Sequence, residues 1–197
     1  MGCLQNKNVH NLKLIIMKNI LYVISFLSIC INCKAQQQIL SMNTVGMHIE
    51  NVYYKDLDNE LDPYIGTWKG TFDNKTFIIT FSKLKLHNTI GNYDQDRLMG
   101  KYKMLDSNNA ELYSTYNLAD DKAKVISLGF VEQTSKTKLR LLFSDLCIEG
   151  EIHLNFTSLK KTQMHWKYFT KQTLITDEAG CAVDNEMPRG EMTLIKQ

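Results

Sequence analysis

Ile148-Glu149-Gly150-Glu151-Ile152-His153-Leu154-Asn155-Phe156-Thr157 changes character at every residue. Ile148, Gly150, Ile152, Leu154 and Phe156 fall on one side of this stretch, and Glu149, Glu151, His153, Asn155 and Thr157 on the other. A period of two puts successive side chains on opposite faces of an extended chain. The segment therefore reads as a strand with one face in a core and one in water. The pattern recurs on both sides of it. Downstream, Met164, Trp166 and Tyr168 follow a turn at Ser158-Leu159-Lys160-Lys161, and Met192 and Leu194 close the chain in the same style. Upstream lie Leu139, Leu141 and Phe143, then Ile126, Leu128 and Phe130, then Leu98, Gly100, Tyr102 and Met104. Phe77, Ile79 and Phe81 begin the series, after which the apolar parity flips to Leu84 and Leu86 and predicts a β-bulge near Lys83.

Turn-forming clusters separate these runs: Asp73-Asn74-Lys75, residues 88–94, Asp106-Ser107-Asn108-Asn109 and Thr134-Ser135-Lys136. Only residues 56–64 and 118–122 suit a short helical turn. About eight to ten strands with one apolar face each bury that face most economically as a barrel or a two-sheet sandwich. The expectation is an all-β chain folded as a single antiparallel β-barrel.

The first 35 residues have a different character. Met17-Lys18-Asn19 leads into an apolar run from Ile20 to Ile31, broken only by Ser25, Ser28 and Cys30. Cys33-Lys34-Ala35 then supplies a small-x-small exit. A basic start, a short apolar run and a small-residue exit are the parts of an export signal, with cleavage expected between Ala35 and Gln36. The run is shorter than the roughly 20 apolar residues that span a bilayer, so no membrane span is expected after removal of the signal. Lipidation fits worse, because Ile29 and Asn32 stand where a small residue should precede Cys30 or Cys33. Residues 1–16 carry no recognisable signal, and Met17 is the natural start. The expected division is 1–35 as upstream extension plus signal peptide, 36–62 as an N-terminal extended segment, and 63–197 as the barrel. The expected location is secreted or periplasmic.

Removing that leader changes the electrostatics. The chain carries 23 basic and 21 acidic residues, but Lys7, Lys13, Lys18 and Lys34 all precede Gln36 with no acidic residue among them. The remainder is slightly acidic, and nucleic acid is not an expected partner. Cys3, Cys30 and Cys33 leave with the leader, so Cys147 and Cys181 remain. In an oxidising compartment such a pair is a candidate disulfide, with two free thiols as the alternative.

Asp62-Pro63-Tyr64-Ile65-Gly66-Thr67-Trp68-Lys69-Gly70 opens the first confident strand. A Gly-x-Trp after a short turn resembles the opening of lipocalins and fatty-acid-binding proteins, in which the tryptophan closes the bottom of an up-and-down barrel. That resemblance implies a basic residue from the last strand packed over the ring, and Arg189 and Lys196 are the available residues. A second resemblance covers nearly the whole mature chain. Asn59 to Gly70, Gly100-Lys101-Tyr102, Arg140 to Asp145 with Cys147, and Met164-His165-Trp166-Lys167-Tyr168 together look like a family of small secreted Bacteroidota proteins known as a domain of unknown function. It implies a compartment and a compact β-domain, and it brings no activity or catalytic residues.

Catalytic constellations are absent from the pattern. There is no Gly-x-Ser-x-Gly elbow and no phosphate loop, and no histidines stand at metal-ligand spacing, so neither enzyme activity nor a cofactor is implied. His153 and His165 share outward parity and could meet across a hairpin, with Glu151 near enough to make a zinc site; a solvated cross-strand contact is the plainer reading. Three functional readings remain, of which an enzyme is the third and least supported by the pattern. In the first, a barrel interior or mouth lined by Trp68, Phe77, Phe81, Tyr102, Met104, Phe130, Phe143, Phe156 and Trp166 holds a small apolar or amphipathic ligand. In the second, the chain is an interaction or inhibitor module of the cell envelope, meeting a protein through residues 88–96 and 176–190.

Overall fold

The computed structural model describes residues 17–20, 22, 36–132, 134–145, 148–170 and 187–197. Residues 17–20 and Tyr22 are helical, and no helix among the described residues is long and apolar enough to cross a membrane. The greater part of the expected export signal lies outside the described residues, as do Cys147 and Cys181.

From Gln38 onward the chain is a single unit of strands. They are β1 (Gln38–Ser41), β2 (Val52–Lys55), β3 (Gly66–Phe72), β4 (Lys75–Asn88), β5 (Tyr93–Leu105), β6 (Glu111–Ser114), β7 (Val125–Phe130), β8 (Leu139–Asp145), β9 (Ile148–Phe156), β10 (Gln163–Thr170) and β11 (Glu191–Lys196). Single 3-10 turns at Asp62–Tyr64 and Asp120–Lys122 supply the helix, in the two segments that suit it by sequence. Hydrogen-bonded neighbours run β5-β4-β3-β11-β10-β9-β8-β7, and β7 returns to β5. Every one of these contacts is antiparallel. The outcome is the closed eight-stranded antiparallel barrel that the alternation implies.

One strand does more than the others. β5 pairs with β4 along its whole length, and its second edge is shared by three strands in succession. β2 takes Asp94 and Gln95, β7 takes Met99 and Gly100, and β6 takes Lys103 to Leu105. At each change of partner the ladder breaks, and a buried hydroxyl fills the break. Ser127 Oγ accepts the Leu98 N–H at 2.8 Å, and Thr115 Oγ1 accepts the Tyr102 N–H at 2.8 Å. Backbone groups this deep need a partner, which is why Ser127 and Thr115 are buried although polar.

β4 and β5 overrun the barrel, and this corrects one expectation. The β4–β5 register runs without a shift from Thr76↔Leu105 to Asn88↔Tyr93, straight through Lys83↔Leu98. No bulge interrupts this pairing at Lys83. The apolar parity flips at Leu84 because the covered face changes: Phe81 still points into the barrel, whereas Leu84 and Leu86 lie on its outer side, opposite Arg97 and Gln95.

The overrun also gives the N-terminal segment a seat. β1 and β2 are parallel to each other, and β2 is parallel to β5. Two buried carboxylates fasten them. Asp96 accepts the Tyr53 hydroxyl at 2.5 Å and the Asp56 N–H at 2.9 Å. Asp56 in turn accepts the N–H groups of Glu60 at 2.8 Å and Leu61 at 3.1 Å, and pairs with Lys83 at 3.3 Å. Hydrogen-bonded in this way, the carboxylates are stable in a buried setting.

Candidate functional site

The barrel interior is filled. Trp68, Phe77, Phe81, Tyr102, Met104, Phe143 and Trp166 are all buried in one core, packed ring against ring. Phe77 meets Tyr102 at 5.6 Å and Trp166 at 5.2 Å, and Phe143 lies 6.2 Å from Tyr102. Inward-facing Gly150 makes room for this density. A methyl group there would stand 2.1 Å from the Tyr168 phenol, so the ring lies directly across the glycine. Seven of the nine side chains expected to line a ligand space therefore fill the interior.

The other two, Phe130 and Phe156, are half-buried at one mouth. That mouth is plugged by the Gly-x-Trp element. Trp68 donates its indole N–H to the Tyr64 carbonyl at 2.8 Å. Lys196, opposite Trp68 in the register, lies over the indole at 5.2 Å and donates to the Pro63 carbonyl at 3.1 Å. Of the two basic residues available, the last strand uses Lys196. Gly66 permits the arrangement in two ways: its φ of +116° is hostile to side chains, and a Cβ would come within 3.3 Å of the Lys196 stem. Tyr64 packs on Phe156 at 4.5 Å, and Trp68 lies 6.1 Å from the same ring.

Beside this plug opens a cleft of about 350 Å³. Tyr64, Phe130 and Phe156 give it an aromatic floor, and Glu60, Lys136, Thr137 and Lys161 form a polar rim. Lys136 is occupied, being ion-paired with Glu60 and 3.9 Å from Asp58. The Glu60 carboxylate holds the Lys136 ammonium above its ordinary pKa. Lys161 sits 5.7 Å above the Phe156 ring and has no carboxylate partner among the described residues. Burial alone pushes the Tyr64 phenol far above the ordinary tyrosine value, so it stays a neutral donor.

Sequence reasoning missed Glu60, Lys136, Thr137 and Lys161. A signal existed, because alternate turns of an up-and-down barrel leave from the same end. The β7–β8 turn with Lys136 and the β9–β10 turn with Lys161 are two turns apart, and both show left-handed backbone at the lysine, at φ 48° and 54°.

The outer wall behaves differently from the zinc arrangement considered above. Register sets His153 opposite Lys167 and His165 opposite Asn155, so the imidazoles are not a cross-strand pair. Each has its own carboxylate: His153 is 2.6 Å from Glu151, and His165 is 3.3 Å from Glu191. Among the described residues, no three His, Cys, Asp or Glu side chains gather as a metal site. The candidate disulfide of Cys147 and Cys181 lies outside the described residues.

No curated protein and no solved structure matches this chain. A family model does match, over residues 17–197, and with nearly the whole chain covered the protein belongs to that family, the family of unknown function DUF6705.

Proposed function

We propose that this protein is a lipocalin-like binding module that takes a small amphipathic ligand at the cleft beside Trp68. The observation that carries the reading is the convergence of three aromatic rings and one carboxylate-free lysine on an open cleft. Tyr64, Phe130 and Phe156 would cover an apolar body, each Å² removed from water contributing about 25 cal/mol. Lys161 would meet an anionic head at the rim, where Thr137 offers a hydroxyl. The cleft of about 350 Å³ falls in the range of small-molecule sites, roughly 300–1,000 Å³. Phe130 and Phe156 stand on strands of the closed barrel and Tyr64 packs on Phe156, which holds the rings in place before binding. In this reading the protein works outside the cytoplasm, secreted or periplasmic, supported by the export-type stretch from Met17 to Ala35.

Native mass spectrometry of protein recovered from its own cells tests the reading. The expected result is a co-purified small molecule on the unaltered protein and its loss from Phe156→Ala. An apo mass in both preparations sinks the proposal. N-terminal sequencing of the same material is expected to start at Gln36, and a start at or before Met17 removes the export part of the reading.

A further inference from the structure

On the outside of the barrel, across the seam between β5 and β7, lies a second groove of about 270 Å³. Leu86 from the overrunning part of β4 forms one wall, and Ile126, Leu128 and Leu142 form the other. Arg97 and Gln95 stand between them on β5. Arg97 ties the walls together by donating to the Ser127 carbonyl at 2.6 Å. That bond uses one of its five N–H donors, and no carboxylate among the described residues pairs with the guanidinium. The guanidinium is half-buried, with the Tyr93 hydroxyl beside it as the interaction that offsets its burial, and its remaining N–H donors leave it able to take an anion. Its field is felt next door: after burial, the Arg97 charge is the second cause that holds the His48 imidazole below its ordinary value. Gln95 is buried, and its Oε1 has no hydrogen-bond partner among the described residues.

The groove therefore asks three things of an occupant. It needs an anionic acceptor for Arg97, an N–H donor for Gln95 Oε1, and an apolar group for Leu86, Ile126, Leu128 and Leu142. An isolated fatty carboxylate supplies the first and third but has no donor. A chain end with a free α-carboxylate, the amide N–H beside it and an aliphatic last side chain supplies all three within a few bonds. We propose that this groove is a receptor for the free C-terminus of a peptide ending in an aliphatic residue. Arg97 takes the carboxylate, Gln95 takes the last amide N–H, and the leucine-lined walls take the side chain. This site is separate from the cleft beside Trp68, and Asn88, Tyr93 and Gln95 line it from the 88–96 segment.

The test is a titration of the purified protein with acetyl-Leu-Leu bearing a free carboxylate and with the same dipeptide as its C-terminal amide, followed by amide chemical shifts. The free acid is expected to bind at least tenfold tighter than the amide and to perturb β5, β7 and β8 around Arg97. Equal affinity for the two, no binding of either, or perturbations confined to Tyr64, Phe130 and Phe156 each overturn the proposal. Arg97→Gln is expected to abolish the acid-over-amide preference. Because that change also removes the Ser127 contact, Leu128→Ser is the companion variant: it is expected to weaken both probes alike and leave the preference intact. A Leu128→Ser protein that binds both probes at full strength counts against the groove.

Discussion

At one end of the barrel the indole N–H of Trp68 donates to a backbone carbonyl, and a lysine lies over its ring. Towards the other end Trp166 is just as buried, but its N–H has no acceptor among the described residues, and neither has the hydroxyl of Tyr102 or of Tyr168. Both ends use a glycine beneath a long side chain, Gly66 under Lys196 and Gly150 under Tyr168. Only at the first end does that side chain complete a polar contact. The difference teaches where stability resides. Around Trp68, packing and hydrogen bonding agree, so the plug is a finished structural element. Around Trp166 the rings pack tightly while three donors have no acceptor among the described residues, a cost that packing has to offset.

The comparison can be broken by substitution. The largest effect is expected from Trp68→Phe, which shrinks the ring, removes the lysine's best platform and strands the Tyr64 carbonyl, for a loss of about 2–4 kcal/mol. Trp166→Phe removes a similar volume together with a donor that has no acceptor among the described residues, and is expected to lose about half as much; denaturant unfolding of both variants decides. An equal loss at the two sites erases the distinction. Gly150→Ala comes next. Its methyl group has no room beside Tyr168, and overpacking of this kind costs about 1–3 kcal/mol. Combination with Tyr168→Leu is expected to recover most of that loss, and failure to recover it shows that the backbone rather than the ring is limiting.

Smaller effects sharpen the picture. Lys196→Met keeps the stem over Gly66 but loses the bond to Pro63 and the charge over Trp68, for an expected loss of about 1 kcal/mol with little sensitivity to salt. The smallest change is expected from Tyr102→Phe and Tyr168→Phe, which delete hydroxyls that have no partner among the described residues and should leave the melting temperature unchanged or slightly raised. A marked loss in either means that the hydroxyl has an acceptor after all.

Much of the barrel was legible before any coordinates, because half-buried strands write their period of two directly into the sequence. The Asp62–Tyr64 turn was legible too, inside the 56–64 segment that suits a short helical turn. What escaped notice arises from relations between strands. β1 and β2 read as a polar stretch because each is only four residues long: Val52 and Tyr54 do alternate into a small cluster with Tyr93, and Asp56 and Asp96 complete the docking. Leu84 and Leu86 read as a bulge, since a strand that outruns its barrel changes its buried face with no change in backbone. Of the cleft residues, Phe130 and Phe156 stood out through their alternation, while Lys136 and Lys161 sit in turns where lysine is unremarkable. Arg97 carried no local signal at all, because its groove exists only where β5 changes partner.

That change of partner also bears on how the ring opens. β4 and β5 meet through thirteen residue pairs that are close in sequence, whereas β5 and β7 close the circle through two, Met99↔Ile126 and Gly100↔Val125. The long hairpin can form early and locally; the circle is completed only when distant segments meet, late and at a higher entropic cost. In the native state the same joint is the gate through which the sheet loosens first, so the Met99 and Gly100 amides should exchange with solvent sooner than those of Phe77 or Ile79. Arg97 and Ser127 form the latch on that gate. A chain end seated against them would hold the gate shut, making occupancy readable as slower exchange along β7.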